Sequence, residues 1–207
     1  MRQFVVALLA AVVGGIAGAF LATGRGAPPA DPSEAYLSAN RAEVERMVLE
    51  DVEKYGVDIY RIYLEISQAM PGMPGSDFAV DKAVRKLEVT YPESNIRRLA
   101  DAHVVYNAIR NRDMLRIEKY LEEAEKSGQR RLLMPNGYEI TPQLIAAQYN
   151  YFFHTGRLPE AEQTLDHLAA NYGDSFIFQP QGKTISIGEF ISGQRRMLEI
   201  VKRKESK

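Results

Sequence analysis

The sequence predicts an all-α protein of stacked antiparallel helical hairpins, with two short β-hairpin or loop insertions and an N-terminal transmembrane helix. Three observations predict it. Apolar residues recur at three- and four-residue spacing in segment after segment from Leu37 to Val201. Ser, Thr, Asp or Pro precedes these segments and Gly or Pro follows most of them, which is how helix starts and stops are marked. An uncharged run, Phe4–Ala22, stands in front of them all. The expected organisation is an anchor or signal segment over residues 1–25, a linker over 26–33 and a helical-repeat domain over 34–207.

The clearest stretch is Ile140 to Ser175. Thr141 is placed to cap a helix, and Pro142 occupies the first helical position, where its missing N–H costs nothing. Ile145, Tyr149 and Phe152 follow at helical spacing. Gly156 is placed to end the helix in the left-handed conformation. Pro159 opens a second helix with a stripe of Ala161, Leu165, Leu168 and Tyr172, and Gly173 ends it. So few residues separate the two helices that they must pack antiparallel.

This pair resembles a tetratricopeptide unit. Pro142–Ser175 is 34 residues, the length of that repeat. Shared features are an aromatic-rich first helix (Tyr149, Phe152), Gly156, a small residue at the crossing (Ala161), then Leu165 and Leu168. Tyr172-Gly173-Asp174-Ser175 is similar to the Tyr-Pro-x-Ser ending of the unit. The family's Trp is absent, and Tyr149 stands where a small residue is usual. The resemblance implies a solenoid that binds partner proteins or peptides.

The remaining segments are laid out the same way. A helix capped by Ser33 or Asp31 is expected to run to about Tyr55, with Leu37, Val44, Met47, Val48 and Val52 inward. Gly56 interrupts, and Asp58 is placed to cap a helix from Ile59 to Met70. Pro71-Gly72-Met73-Pro74-Gly75 is a break. Ser76 or Asp77 then caps a helix carrying Val80, Ala83, Val84, Leu87 and Tyr91. Ser94 and Asp113 cap the next two, with Leu99, Ala102, Tyr106 and Ile109 inward on the first and Met114, Ile117, Leu121 and Ala124 on the second. Gly128 closes the pair. Three hairpins result, at about 58–92, 94–127 and 142–173. A lone hairpin cannot bury its apolar face, whereas a stack can.

Two insertions share a pattern. Pro135-Asn136-Gly137 and Pro180-Gln181-Gly182 are turn formers between short apolar runs, each able to form a small β-hairpin or an extended loop. Thr141 and Ser186 follow as equivalent N-caps, and Ser186 with Glu189 makes a capping box. We read these as an internal duplication. A last helix, about Ile187 to Arg203, carries Phe190, Ile191, Met197, Leu198 and Val201, and its charged outer face suits the end of a solenoid.

Phe4–Ala22 is nineteen residues, long enough to span a hydrocarbon core. It reads as an uncleaved anchor or as a signal peptide, with the anchor favoured because the run exceeds a usual signal core. A short N-terminus before a large domain leads to the expectation that the domain lies outside the cytoplasm: a single-pass inner-membrane protein with a periplasmic domain if the source is bacterial. Gly14 and Gly18 form a GxxxG pair on a small-residue row, the pattern that would pack a homodimer through the anchor.

Composition narrows the chemistry. The 207 residues carry a net charge of −1, and the only charges in the first 30 are Arg2 and Arg25, leaving −3 for the rest. That gives no argument for nucleic acid. Cysteine is absent, which excludes thiolate metal sites, disulfides and a Cys nucleophile. The three histidines, His103, His154 and His167, match no metal motif, although the last two could approach across their hairpin. No phosphate loop, dinucleotide fingerprint or GxSxG occurs. No cofactor, metal or catalytic residue is expected.

The expected function is binding: a membrane-anchored, extracytoplasmic adaptor that holds a protein or peptide in an envelope complex. Tyr151 and Phe153 are the groove candidates, because four near-successive aromatics cover more than one helix face. The basic pair Arg130-Arg131 is a candidate contact for an acidic partner. Alternatives are a helical scaffold or accessory domain of an envelope enzyme, and a structural protein that self-assembles through Gly14 and Gly18.

Overall fold

A computed structural model describes residues 31–69, 76–127, 131–178 and 184–205. The chain divides into Met1–Asp31 and Pro32–Lys207. The anchor, with Gly14 and Gly18, lies outside the described residues, as do Met70, Gly128 and Arg130. Among the described residues no helix is long and apolar enough to cross a membrane.

Pro32–Lys207 is mostly helical, with stacked helix pairs. In chain order the elements are α1 (Pro32–Tyr55), α2 (Val57–Gln68), α3 (Ser76–Thr90), α4 (Asn95–Asn111), α5 (Met114–Ser127), α6 (Thr141–His154), α7 (Leu158–Tyr172), β1 (Phe176–Phe178), β2 (Thr184–Ser186) and α8 (Ile187–Glu205). Each helix packs on the next, and the first helices of successive hairpins also touch, α2 on α4 and α4 on α6. Such a fold is a row of neighbour interfaces. Its apolar interior follows that row in three clusters. The first, around Val48, Ile62, Leu87 and Leu99, joins α1 to α4. The second, around Val105, Ile117, Ile140 and Leu144, joins α4, α5 and α6. The third, around Tyr149, Leu165, Leu168 and Ile191, joins α6, α7 and α8.

The helix ends show which local signals act. Ser94 caps α4, its Oγ accepting from the Arg97 N–H at 3.1 Å. Asp113 caps α5, its Oδ1 accepting from the Arg116 N–H at 3.2 Å. Ser186 and Glu189 form the reciprocal box: the Ser186 N–H donates to Glu189 Oε2 at 3.1 Å, and the Glu189 N–H donates to Ser186 Oγ at 3.2 Å. Gly156 follows α6 at φ 75°.

Four expectations are corrected. Of the two cap candidates for α1, Ser33 lies inside the helix, which starts at Pro32 directly after Asp31. Asp58 lies inside α2, where it pairs with Arg61 on the surface, because Gly56, at φ 87°, turns the chain directly into the helix. Thr141 does not cap α6. Its Oγ1 accepts from the Leu132 N–H at 2.8 Å, so it satisfies the incoming loop rather than its own helix. Met197 faces outward and is 48% exposed, because α8 packs on α7 along one side only.

The insertions differ in form. The first is a loop with a single bridge, Leu133 to Glu139, turning at Gly137 with φ 85°. The second is a hairpin, β1 antiparallel to β2 in the register Phe176 to Ser186. They are packed together: Tyr138 stacks on Phe178, and Gln143 Nε2 donates to the Phe178 carbonyl at 2.9 Å. The N-terminal half of α1 lies over both. Tyr36 packs on Phe176 and donates its hydroxyl to Glu139, while its oxygen lies 3.0 Å from Ser175 Oγ. Burial first, and then the Glu139 contact, raise the Tyr36 pKa. Glu139 is 1% exposed and is held by Arg131, Nη2 at 3.1 Å and Nε at 3.2 Å. The same Nη2 donates to Asn40 Oδ1 at 2.5 Å. A buried carboxylate needs partners of this kind.

Candidate functional site

The geometry of α5, α6 and α7 leaves a groove of about 830 Å³ between them. Helix periodicity explains its lining. From α6 come Thr141, Ile145, Gln148 and Phe152, one stripe at offsets of four, three and four residues. From α7 come Glu160, Gln163, Thr164, His167, Asn171 and Tyr172, again one stripe. From α5 come Glu118, Leu121, Glu122 and Ala124. Leu121, Ile145, Phe152 and Tyr172 pack into the core beneath and give an apolar floor. The carboxylates, amides and His167 stand along the sides.

Electrostatics are one-sided. The lining holds three glutamates and neither Lys nor Arg, although Glu122 pairs with Lys126 and Glu160 with Arg157 just outside it. Glu160 accepts from Arg157 Nε at 3.0 Å. Its carboxyl is held below the usual carboxylate range, first by its own backbone N–H and then by Arg157. The Arg157 guanidinium also lies 4.3 Å from the centroid of the Phe152 ring. His167 receives Asn171 Nδ2 on its carbonyl at 3.0 Å. Thr164 returns its hydroxyl to the Glu160 carbonyl at 2.8 Å, so it presents no free donor.

The residues expected to line a groove lie elsewhere. Tyr151 is 37% exposed, beside Phe152 but off the groove stripe. Phe153 is half-buried and stacks on Tyr149 at 5.8 Å. Phe152, expected in the core, does both jobs: it packs beneath and reaches the floor. Arg131 is engaged by Glu139 and Asn40, and with Arg98 it lines a smaller cavity of about 130 Å³ that also contains Glu43. Arg130 lies outside the described residues. Glu118, Glu122 and Gln148 were missed because their spacing reads equally well as a solvated helix face. Only the placing of α5 and α7 on either side of the groove turns them into walls.

The histidines are dispersed by environment. His103 is buried on α4, His154 is exposed at the end of α6 with its ring edge-on to Phe153, and His167 is on the groove rim. Among the described residues no group of three or more His, Asp or Glu is placed to hold a metal ion.

Fold and groove together define a stacked helical-hairpin domain with a lateral cleft between α5, α6 and α7. Comparison with family models, curated proteins and solved structures finds no match.

Proposed function

We propose that this chain is a membrane-tethered, tetratricopeptide-like adaptor whose extracytoplasmic domain holds a segment of a partner protein within an envelope complex. One observation supports it above others: the groove between α5, α6 and α7 pairs an apolar floor with a polar rim over about 830 Å³, within the size range of binding clefts. An apolar floor drives association, and polar walls set register and specificity. The uncharged Phe4–Ala22 run supports the tether.

The test is co-purification of the full-length chain from detergent-solubilised membranes. Gln148→Trp fills the groove from α6 without removing a core side chain. The wild type is expected to bring down a stoichiometric partner that the Trp variant loses. A partner retained equally by both, or none at all, defeats the reading.

A further inference from the structure

We infer that the groove accepts a cationic amphipathic segment, one that presents a Lys or Arg beside apolar side chains. This rests on the groove being the partner site.

The α6 stripe from Thr141 to Phe152 is about 16 Å long at 1.5 Å per residue, room for roughly three helical turns of a partner. Apolar contact alone would accept any such segment. Charge narrows the choice. Glu118 makes no ion pair or hydrogen bond among the described residues, although it is partly buried beside the floor. One turn on, Glu122 stands at the solvent edge, its side chain 69% exposed and 3.6 Å from Lys126. Glu160, on the facing wall, is already paired with Arg157, so the uncompensated charge lies on the α5 side, at Glu118. Carboxylates of one sign over a low-dielectric floor focus a negative potential into a cleft. That potential attracts a basic segment and repels an acidic one or an anionic lipid headgroup.

The protein already contains a small version of the contact. Arg157 lays its guanidinium on Phe152 while binding Glu160, so one cation is satisfied by an aromatic face and a carboxylate together. A partner's Arg or Lys next to Glu118 and Glu122 would find the same combination of apolar floor and carboxylate.

The experiment uses the full-length chain in a non-ionic detergent. The probes are two fluorescein-labelled peptides of about 16 residues, alternating Leu and Ala faces with Lys in one and Glu in the other. Anisotropy is expected to show the Lys peptide binding at low salt and weakening steeply as salt rises, with the Glu peptide at least tenfold weaker. Glu118→Gln with Glu122→Gln is expected to weaken the Lys peptide about tenfold, and Gln148→Trp to abolish binding. If Gln148→Trp removes binding of both peptides but the glutamine variant changes neither, the groove remains the partner site and the cationic assignment is wrong. If Gln148→Trp changes nothing, the groove reading falls with it. Self-association in sedimentation that the glutamine variant abolishes would put a second copy of this chain in the groove and overturn the proposal.

Discussion

Tyr138 lies face to face on Phe178, ring centroids 4.7 Å apart and planes 7° from parallel. The stack joins two insertions about 40 residues apart in the chain, both of them also touched by Tyr36 of α1. Phe178 is buried, so Phe178→Ala is expected to cost about 3 kcal/mol. A double-mutant cycle with Tyr138→Ala should return a coupling of about 1 kcal/mol for the stacked pair. Chemical denaturation measures both. Strict additivity would mean that the insertions fold independently.

Glu139 is the buried charge that ties α1 to the first insertion. Removing it leaves Arg131 and the Tyr36 hydroxyl without their common acceptor. Glu139→Ala is therefore expected to destabilise by about 2 kcal/mol, below the value for a fully buried pair because the Arg131 side chain is half exposed. Glu139→Gln keeps an acceptor oxygen and should recover part of the loss. Equal loss in both variants would show that charge, not hydrogen bonding, holds the clasp.

Two glycines with positive φ give opposite forecasts for the same change. A Cβ on Gly137 would lie 2.7 Å from Arg41 Cγ and 3.1 Å from the Arg41 nitrogen, with φ at 85°. A Cβ on Gly156 meets nothing within 4 Å, at φ 75°. Gly156→Ala carries only the conformational term, about 1 kcal/mol. Gly137→Ala must also push α1 off the loop and is expected to cost about 3 kcal/mol in total. Thermal melts of the two variants rank them.

Asp101 on α4 has its carboxyl pushed up to about 6, first by burial, with Glu88 and Glu123 adding to the rise and Arg97 opposing it. Folding therefore favours the protonated form. The stability this brings is complete below the unfolded value near 4 and is lost as pH rises through about 6. Asp101→Asn removes the penalty of the buried charge. It should raise stability at pH 7.5 by about 1–2 kcal/mol and flatten the stability profile between about pH 4 and pH 6. A variant less stable than wild type at pH 7.5 would show that the Arg97 pair outweighs desolvation.

Local order along the chain was legible because it is encoded by neighbours. Ser94, Asp113 and the Ser186–Glu189 box act within one helical turn, and the stripes of α2, α6 and α7 follow 3.6-residue periodicity. What was not legible depends on distant pairing. Tyr36 meets Glu139 and Ser175, 103 and 139 residues away, and no spacing rule marks such contacts. The groove is of the same kind. Glu118 and Glu122 have the pattern of a solvated face until α5 and α7 are seen to line one groove. Phe153, chosen from its sequence neighbours, turned inward because Tyr149 and the third cluster offered it apolar surface.

Thr141 and Ser186 separate these two cases in a single experiment. Both follow a Pro-x-Gly sequence at the start of a helical segment, and the sequence makes them equivalent. Ser186 caps its own helix at a half-buried site, so Ser186→Ala should cost about 1 kcal/mol. Thr141 is buried and supplies the acceptor for the Leu132 N–H across nine residues of chain. Thr141→Val keeps its shape but leaves that N–H buried without a partner, at about 2 kcal/mol. Hydrogen exchange adds the discriminating readout. The Leu132 amide should lose protection in Thr141→Val while the first amides of α6 keep theirs, whereas Ser186→Ala should expose the Glu189 amide at the start of α8. Loss of protection at the start of α6 in Thr141→Val would restore Thr141 as a helix cap.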